Sequence, residues 1–368
     1  MKVLVTGSNG FVGRNLIQHL RELKIDYIPF TRDSKLSDIN FSEIDFVFHL
    51  AGVNRPDKPE DFYSGNTHFT QDLLSHLKKP TPLIFSSSTQ AELDNDYGKS
   101  KKQAEEALVD YQKSSGAFVG IYRLPNVFGK WCKPNYNSAV ATFCYNVCHG
   151  KEIQVNDPDR VMNLVYVDDV VEEFIFTMRE FKNLSSGQKV VSRVYNIKLQ
   201  DLADKIKSFK EMRKSLVIGH VGVGLERALY ATYLSYQPES DFAYDLISHT
   251  DPRGSFVEML KTQESGQFSF FTAHPKVTRG GHYHHTKNEK FLVVKGEALF
   301  RFKSLSDERE YAIKTSGLKP VVVETIPGWT HDITNIGPDE MIVMLWANEI
   351  FDREKPDTYA CPLPKVFE

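Results

Sequence analysis

The sequence predicts an α/β fold built on a doubly wound parallel sheet, followed by a separate all-β domain. Three observations carry this. Over residues 2 to 150, short β-branched runs alternate with stretches of helical period. A glycine-rich turn directly follows the first of these runs. From about Ser255 the chain changes to β-rich segments, QFSFFTA, FLVVKG, ALFRF, PVVVETI and MIVMLWA, separated by turn residues.

In chain order, KVLVTG reads as a strand, and Val12, Leu16, Leu20 and Leu23 then fall on one face of a helix. DYIPF, FVFHLAG and PLIFSSS are the next strands. A mostly helical stretch runs to about Leu234, and SYQPESDFAY, with its proline and polar residues, places a domain boundary near 245. The expected domains are therefore 1–245 and 246–368. At 368 residues and 41% hydrophobic content the chain can bury a large core, which excludes wholesale disorder. Forty-five Lys and Arg against 48 Asp and Glu give a net charge of -3, which excludes the basic field that nucleic-acid binding needs. Cys132, Cys144, Cys148 and Cys361 form no CxxC pair and read as reduced, buried thiols. The apolar run at the N-terminus is too short for a secretory signal, and no later run has the length of a membrane span. The expectation is a cytoplasmic protein with no membrane and no nucleic-acid partner.

Thr6-Gly7-Ser8-Asn9-Gly10-Phe11-Val12-Gly13 joins the first strand to the first helix. In that context glycines let a pyrophosphate approach backbone N–H groups at a helix N-terminus. Gly7, Asn9, Gly10, Phe11, Val12 and Gly13 are the expected cofactor contacts. After the second strand come Thr31, Arg32 and Asp33. Arg32 could pair with a 2′-phosphate, which favours NADPH; Asp33 on the ribose of NAD is the alternative.

Tyr97 and Lys101 are four apart in a segment of strong helix formers, so both project from one helix face. An ammonium there can lower the phenol pKa, and a tyrosine so tuned can protonate a carbonyl oxygen while a nicotinamide gives hydride to its carbon. The pair follows a strand ending in Ser86-Ser87-Ser88-Thr89, whose carboxyl end should lie beside the cofactor. With TGxxGxxG, HLAG (His49 to Gly52), SSS, YxxxK, RLPNVFG (Arg123 to Gly129) and YVDDVV (Tyr166 to Val171), the first two thirds resembles the nucleotide-sugar branch of the extended short-chain dehydrogenases/reductases. That resemblance implies a Rossmann-like sheet and cofactor contacts at Leu50, Ala51 and Gly52. It also implies that Ser88 bonds the substrate carbonyl, Tyr97 is the acid/base, Lys101 tunes it and holds ribose, and Asn126 contacts the substrate phosphate. Ser87 and Thr89 are alternatives to Ser88.

His282 and His284 share one face of a strand, Glu289 follows across a short turn, and His331 comes from a later strand. Such an N/O set suits zinc, iron, manganese or nickel better than magnesium, with zinc preferred. The spacing resembles the two cupin motifs, which implies a jelly-roll barrel; His285 is an alternative to His284. Asp251 to Phe256 and Arg279 to His282 resemble the deoxysugar 3,5-epimerases, which implies that Arg253 and Arg279 hold substrate phosphates. Tyr283, His285 and Lys261 are candidates for moving a proton at that site.

Taken whole, the chain resembles a family of bifunctional capsular-polysaccharide enzymes in which a reductase of this kind is fused to a cupin. This implies C3 epimerisation of a UDP-2-acetamido-2,6-dideoxy-4-hexulose by the cupin, then reduction at C4 with NADPH to UDP-N-acetyl-6-deoxy-L-talosamine. It further implies a homodimer held through the cupin. The alternatives are a 4-epimerase that retains NAD, a cupin with only a structural or sugar-binding role, and a scaffold in which both halves are inactive.

Overall fold

In the computed structural model, which describes all residues except 252, 253, 258, 263–265, 350, 351, 353, 367 and 368, the chain divides into two units. One comprises residues 1–128 and 162–196, the other 129–161 and 197–368.

The first unit is built on β1 (Lys2–Thr6), β2 (Asp26–Phe30), β3 (Phe46–His49), β4 (Leu83–Ser88), β5 (Val119–Leu124) and the short strand Gly187–Lys189. They hydrogen-bond in the order β2-β1-β3-β4-β5 and then 187–189, every neighbouring pair parallel. Their apolar side chains alternate between two cores. Val3, Val5, Phe46, Phe48 and Ile84 meet Leu16 and Leu20 of helix α1 (Phe11–Glu22), together with Val170 and Phe174 of the Val167–Glu180 helix. Leu4, Val47, Leu83 and Phe85 meet Leu73, Ala104 and Leu108 on the other face. Both faces being covered explains why these strands read as continuous apolar runs. Chain direction around the sheet reverses between β1 and β3, and the loops leaving their carboxyl ends open a crevice where ligands bind in such sheets. The Rossmann-like expectation is met.

The second unit contains helices Ala139–Cys148, Leu199–Ser215 and Gly224–Leu234 and an antiparallel β region. One five-stranded sheet runs Ala243–Asp245, Val321–Glu324, Glu289–Lys295, Met341–Ala347, Gln267–Ala273; the other runs Glu310–Ser316, Glu297–Ser304, Trp329–Asn335, Thr278–Tyr283, Tyr359–Ala360. Phe291, Val293, Val323 and Val343 of the first sheet share a core with Phe300, Phe302, Trp329 and Ile333 of the second. Along strand Glu297–Ser304, buried and more exposed residues alternate, dividing core from surface. Among the described residues, no helix is long and apolar enough to cross a membrane.

Candidate active site and metal centre

The glycine turn of the first unit is shaped by close backbone approach. Gly7 has φ +67, and a Cβ there would lie 2.7 Å from the Ala51 nitrogen; one on Gly13 would lie 2.2 Å from the Gly7 carbonyl. Ser8 pins the turn to β2, its N–H and hydroxyl both donating to the Phe30 carbonyl at 3.2 and 3.0 Å. Gly10 caps α1 without a side-chain hydrogen bond, so the helix presents its N-terminal dipole to whatever anion enters beside Asn9, Phe11 and Val12. The backbone N–H groups of Leu50 and Ala51 donate to Thr6 Oγ1 at 3.1 and 3.2 Å, which seats the segment leading to Gly52 against this turn. Arg32 is exposed on the turn after β2. These features fit a dinucleotide.

At the end of β4, Ser88 accepts the Gln90 N–H at 3.1 Å, and its hydroxyl lies close enough to the Tyr97 phenol to act on its pKa. The Tyr97 helix, Asp96–Ser115, starts there because Asn95 caps it, accepting the Gly98 N–H at 2.8 Å. Gly98 is confined to glycine, since a Cβ would sit 2.4 Å from the Gln90 carbonyl. Ser87 is already committed: its hydroxyl donates to Glu105, which also binds Arg123 through Nε and Nη2. Of Ser87, Ser88 and Thr89, Ser88 is the one whose hydroxyl acts on the tyrosine.

Lys101 is buried, donates to the Ser86 carbonyl at 2.7 Å, and lies 4.2 Å from the centre of the Phe85 ring. Burial lowers its pKa to about 7, against an upward pull from Glu105. The expected lowering of the Tyr97 phenol by this ammonium is not what the geometry produces. Burial raises the phenol, and the nearby Ser88 hydroxyl only partly offsets that.

A polar network that sequence reasoning missed lies between these groups. His49 sits between Thr6 Oγ1 and Thr70 Oγ1, each 2.8 Å from a ring nitrogen. Thr70 donates to the Asn66 carbonyl at 2.6 Å, so it accepts from His49 Nε2–H, and the ring's Nδ1 takes the Thr6 proton. Burial holds His49 down to about 3, hence neutral. The Asn66 side chain bonds both backbone polar groups of Val53 and the Ser100 hydroxyl, and Ser100 donates to the Tyr97 carbonyl at 2.8 Å. Asn66 lies in a π-helical turn, Tyr63–His68, a distortion that recurs at functional sites. In sequence, Asn66-Thr67 looks like any solvated helix face. Asn126 opens the short strand Asn126–Phe128, is exposed, and donates to the Asn163 carbonyl at 3.2 Å.

In the second unit His282, His284, Glu289 and His331 converge, their ligand atoms all within 4.8 Å of one another. A β-bulge between Gly280 and His282, with both glycines at positive φ, sets His282 opposite His331. Neither ring nitrogen of buried His331 has a hydrogen-bond partner, and the Glu289 carboxylate is 3.6 Å away. His284 donates from Nδ1 to the Asp357 carbonyl at 2.6 Å, which leaves Nε2 turned to Glu289 Oε2 at 3.1 Å. Burial lowers His282 to about 3 and lowers His331 too, so both are neutral. Two neutral imidazoles, one with both ring nitrogens unpartnered, beside a carboxylate fit a divalent transition metal.

His285 and Tyr283 pack on Tyr359, with centroids 5.1 and 5.4 Å away, and neither belongs to this cluster. Arg279 lays its guanidinium 4.9 Å from the Phe271 ring centre. Arg253 lies outside the described residues, as does the Lys261 side chain.

The crevice with its glycine turn, serine, tyrosine and lysine defines a dinucleotide-dependent oxidoreductase fold. The chain belongs to the NAD-dependent epimerase/dehydratase family, whose sequence profile matches residues 3–197; the profile of the polysaccharide biosynthesis C-terminal domain matches 249–359. It is 56% identical over 368 residues to the UDP-2-acetamido-2,6-beta-L-arabino-hexul-4-ose reductase of Pseudomonas aeruginosa, covering 98% of each chain. Among solved structures it resembles the capsular polysaccharide assembling protein CapF from Staphylococcus aureus, with 40% identity, a TM-score of 0.66, and coverage of 99% of this chain and 100% of that one. A UDP-glucose 4-epimerase from Thermotoga maritima, 20% identical at a TM-score of 0.53, covers 64% of this chain and 98% of its own and shares the fold. Membership of the family implies a nicotinamide cofactor.

Proposed function

We propose that the chain is a bifunctional nucleotide-sugar enzyme of polysaccharide biosynthesis. Its reductase domain, 1–245, reduces the C4 ketone of a UDP-2-acetamido-2,6-dideoxy-hexulose; its metal-binding cupin domain, 246–368, first epimerises C3. The product is UDP-N-acetyl-6-deoxy-L-talosamine. The observation that carries the reading is the placement of Ser88 and Tyr97 together at the end of β4, beside a glycine turn shaped for a dinucleotide, in a chain alike over its full length to a named UDP-sugar reductase.

The raised phenol pKa serves this chemistry, because Tyr97 is fully protonated at neutral pH and positioned to donate. Ser88 would hold the C4 oxygen and Tyr97 would give it a proton as it gains negative charge. Bound NADPH, with Arg32 toward its 2′-phosphate, would supply the hydride. Lys101 and the Asn66–Ser100 bonds would hold the tyrosine helix and the cofactor ribose in register. In the cupin, His282, His284, Glu289 and His331 would hold zinc, whose charge acidifies the C3–H of a 4-ketosugar. Asn126, Arg253 and Arg279 would bind substrate phosphates. A 4-ketone is needed to labilise C3–H, so epimerisation precedes reduction. The enzyme would work in the cytoplasm as a homodimer joined through the cupin.

The test is incubation with a UDP-4-keto-6-deoxy-N-acetylhexosamine in deuterated water, with and without NADPH, following C3–H by NMR and nicotinamide absorbance. Deuterium at C3 without NADPH, and oxidation once it is added, are expected. Oxidation without exchange would reduce the proposal to a simple reductase with a structural cupin; exchange of hydride with no net NADPH consumption would make it a 4-epimerase.

A further inference from the structure

We infer that the C-terminal segment from Pro356 to Pro364 is a strap that sets the geometry of the metal centre, with Asp357 as its positioning residue. This rests on the metal-binding reading above and deepens it. The turn that joins His284 to Glu289 carries three consecutive backbone N–H groups, at His285, Thr286 and Lys287, on residues that are 5 to 6% exposed. All three end on one carboxylate: His285 on Asp357 Oδ1 at 2.9 Å, Thr286 and Lys287 on Oδ2 at 2.9 and 2.7 Å. The Thr286 hydroxyl adds a fourth bond at 3.1 Å. Buried donors left without acceptors cost about 1–3 kcal/mol each, so this turn holds its shape only while Asp357 is in place. The same residue's carbonyl takes the Nδ1–H of His284 at 2.6 Å, which fixes the ring and leaves Nε2 as the ligand atom. Asp357 does this at φ +38, a conformation that aspartate tolerates better than most residues.

The flanking residues anchor the strap to the strands that carry the other ligands. Ala360 and Tyr359 pair with His282 and Tyr283. The Cys361 N–H donates to the Gly281 carbonyl at 2.7 Å, and Thr330, the neighbour of His331, donates to the Cys361 carbonyl at 2.6 Å. Lys287 binds the Pro356 carbonyl and Thr358 Oγ1; Arg301 binds the Pro364 carbonyl. A strap tied to the ligands by such bonds is thermodynamically coupled to the metal: whatever the strap adds to metal affinity, metal adds to strap order.

The test uses the full chain stripped with a chelator, then titrated with Zn²⁺ against a chromophoric competitor and with Co²⁺ for its visible spectrum. Wild type is expected to bind one ion per chain. Asp357→Ala should bind Zn²⁺ about 10- to 100-fold more weakly with an altered Co²⁺ spectrum, and Asp357→Asn, which keeps one acceptor oxygen, should fall between. In wild type, Zn²⁺ should slow amide exchange at 357–361, and in His331→Ala it should not. Zn²⁺ affinity of Asp357→Ala within about twofold of wild type, with an unchanged Co²⁺ spectrum, would overturn the proposal. If that variant does not fold, strap amides of wild type that exchange equally with and without Zn²⁺ overturn it instead. A wild type that binds neither ion overturns the metal reading itself, and the strap's role with it.

Discussion

Lys101 donates its ammonium to the Ser86 carbonyl at 2.7 Å, and among the described residues no carboxylate bonds it. Glu105, four residues along the same helix, is engaged by Ser87 and Arg123 instead. The lysine is thus a buried cation held by one carbonyl and a ring face, and burial lowers its pKa to about 7 from 10.5. Between those values the unfolded chain carries a proton that the native chain lacks, so this group's contribution to stability rises with pH from 7 to 10.5 and is least favourable below 7. Urea unfolding of wild type against Lys101→Met should show wild type gaining up to about 1.4 kcal/mol per pH unit between pH 7.5 and 9.5. A difference that stays flat with pH would show that Lys101 is charged throughout that range.

Tyr97→Phe removes the hydroxyl placed beside Ser88 at the end of β4 while keeping the ring. NADPH oxidation with a 4-ketosugar is expected to fall by about 10²- to 10⁴-fold. Deuterium incorporation at C3 should persist, because the metal cluster lies in the other unit. Loss of exchange together with oxidation would mean that one site performs both steps.

The sequence made legible those parts of the site whose residue type is dictated by contact. Gly7 and Gly13 stand where a Cβ would strike backbone, and Tyr97 and Lys101 are one helical turn apart, so motif and geometry coincide. His282 and His284 were legible as neighbours because alternation along a strand puts them on one face, while Glu289 and His331 reach them from separate strands. The choice among the serines was not, since it turns on Glu105 reaching Ser87 from a helix 18 residues further on. Asn66 and Asp357 were hidden for a related reason. Each acts by bonding backbone far away in sequence, 13 residues in one case and about 70 in the other, and such bonds leave no periodicity. Helical spacing places Lys101 on the right face, but it says nothing of the Ser86 carbonyl to which its ammonium donates or of the burial that raises the Tyr97 phenol.

His49 gives a pH signature of opposite range. Its native pKa of about 3 lies below the ordinary 6.5, so the unfolded chain binds the extra proton as pH falls through that window and stability drops. Wild type should lose up to about 1.4 kcal/mol per pH unit below pH 6 relative to His49→Phe. At pH 7 the variant should itself be less stable by about 1–3 kcal/mol, because the buried Thr6 hydroxyl loses its acceptor. Matching acid limbs for the two proteins would show that His49 is protonated in the native state.

His331 separates the metal's part from the rest. It is buried, both ring nitrogens are without hydrogen-bond partners, and it lies at the register position opposite His282. His331→Ala should abolish stoichiometric Zn²⁺ binding and lower C3 exchange on the order of 100-fold. It should leave NADPH oxidation of a substrate already inverted at C3 unchanged within about twofold. Chelator treatment of wild type should reproduce the same split, and restored Zn²⁺ should reverse it in wild type but not in the variant. Exchange that survives both treatments would assign proton abstraction at C3 to groups other than this cluster, and His282, His284 and His331 would then be a structural site holding the strands of the second sheet to the turn before Glu289.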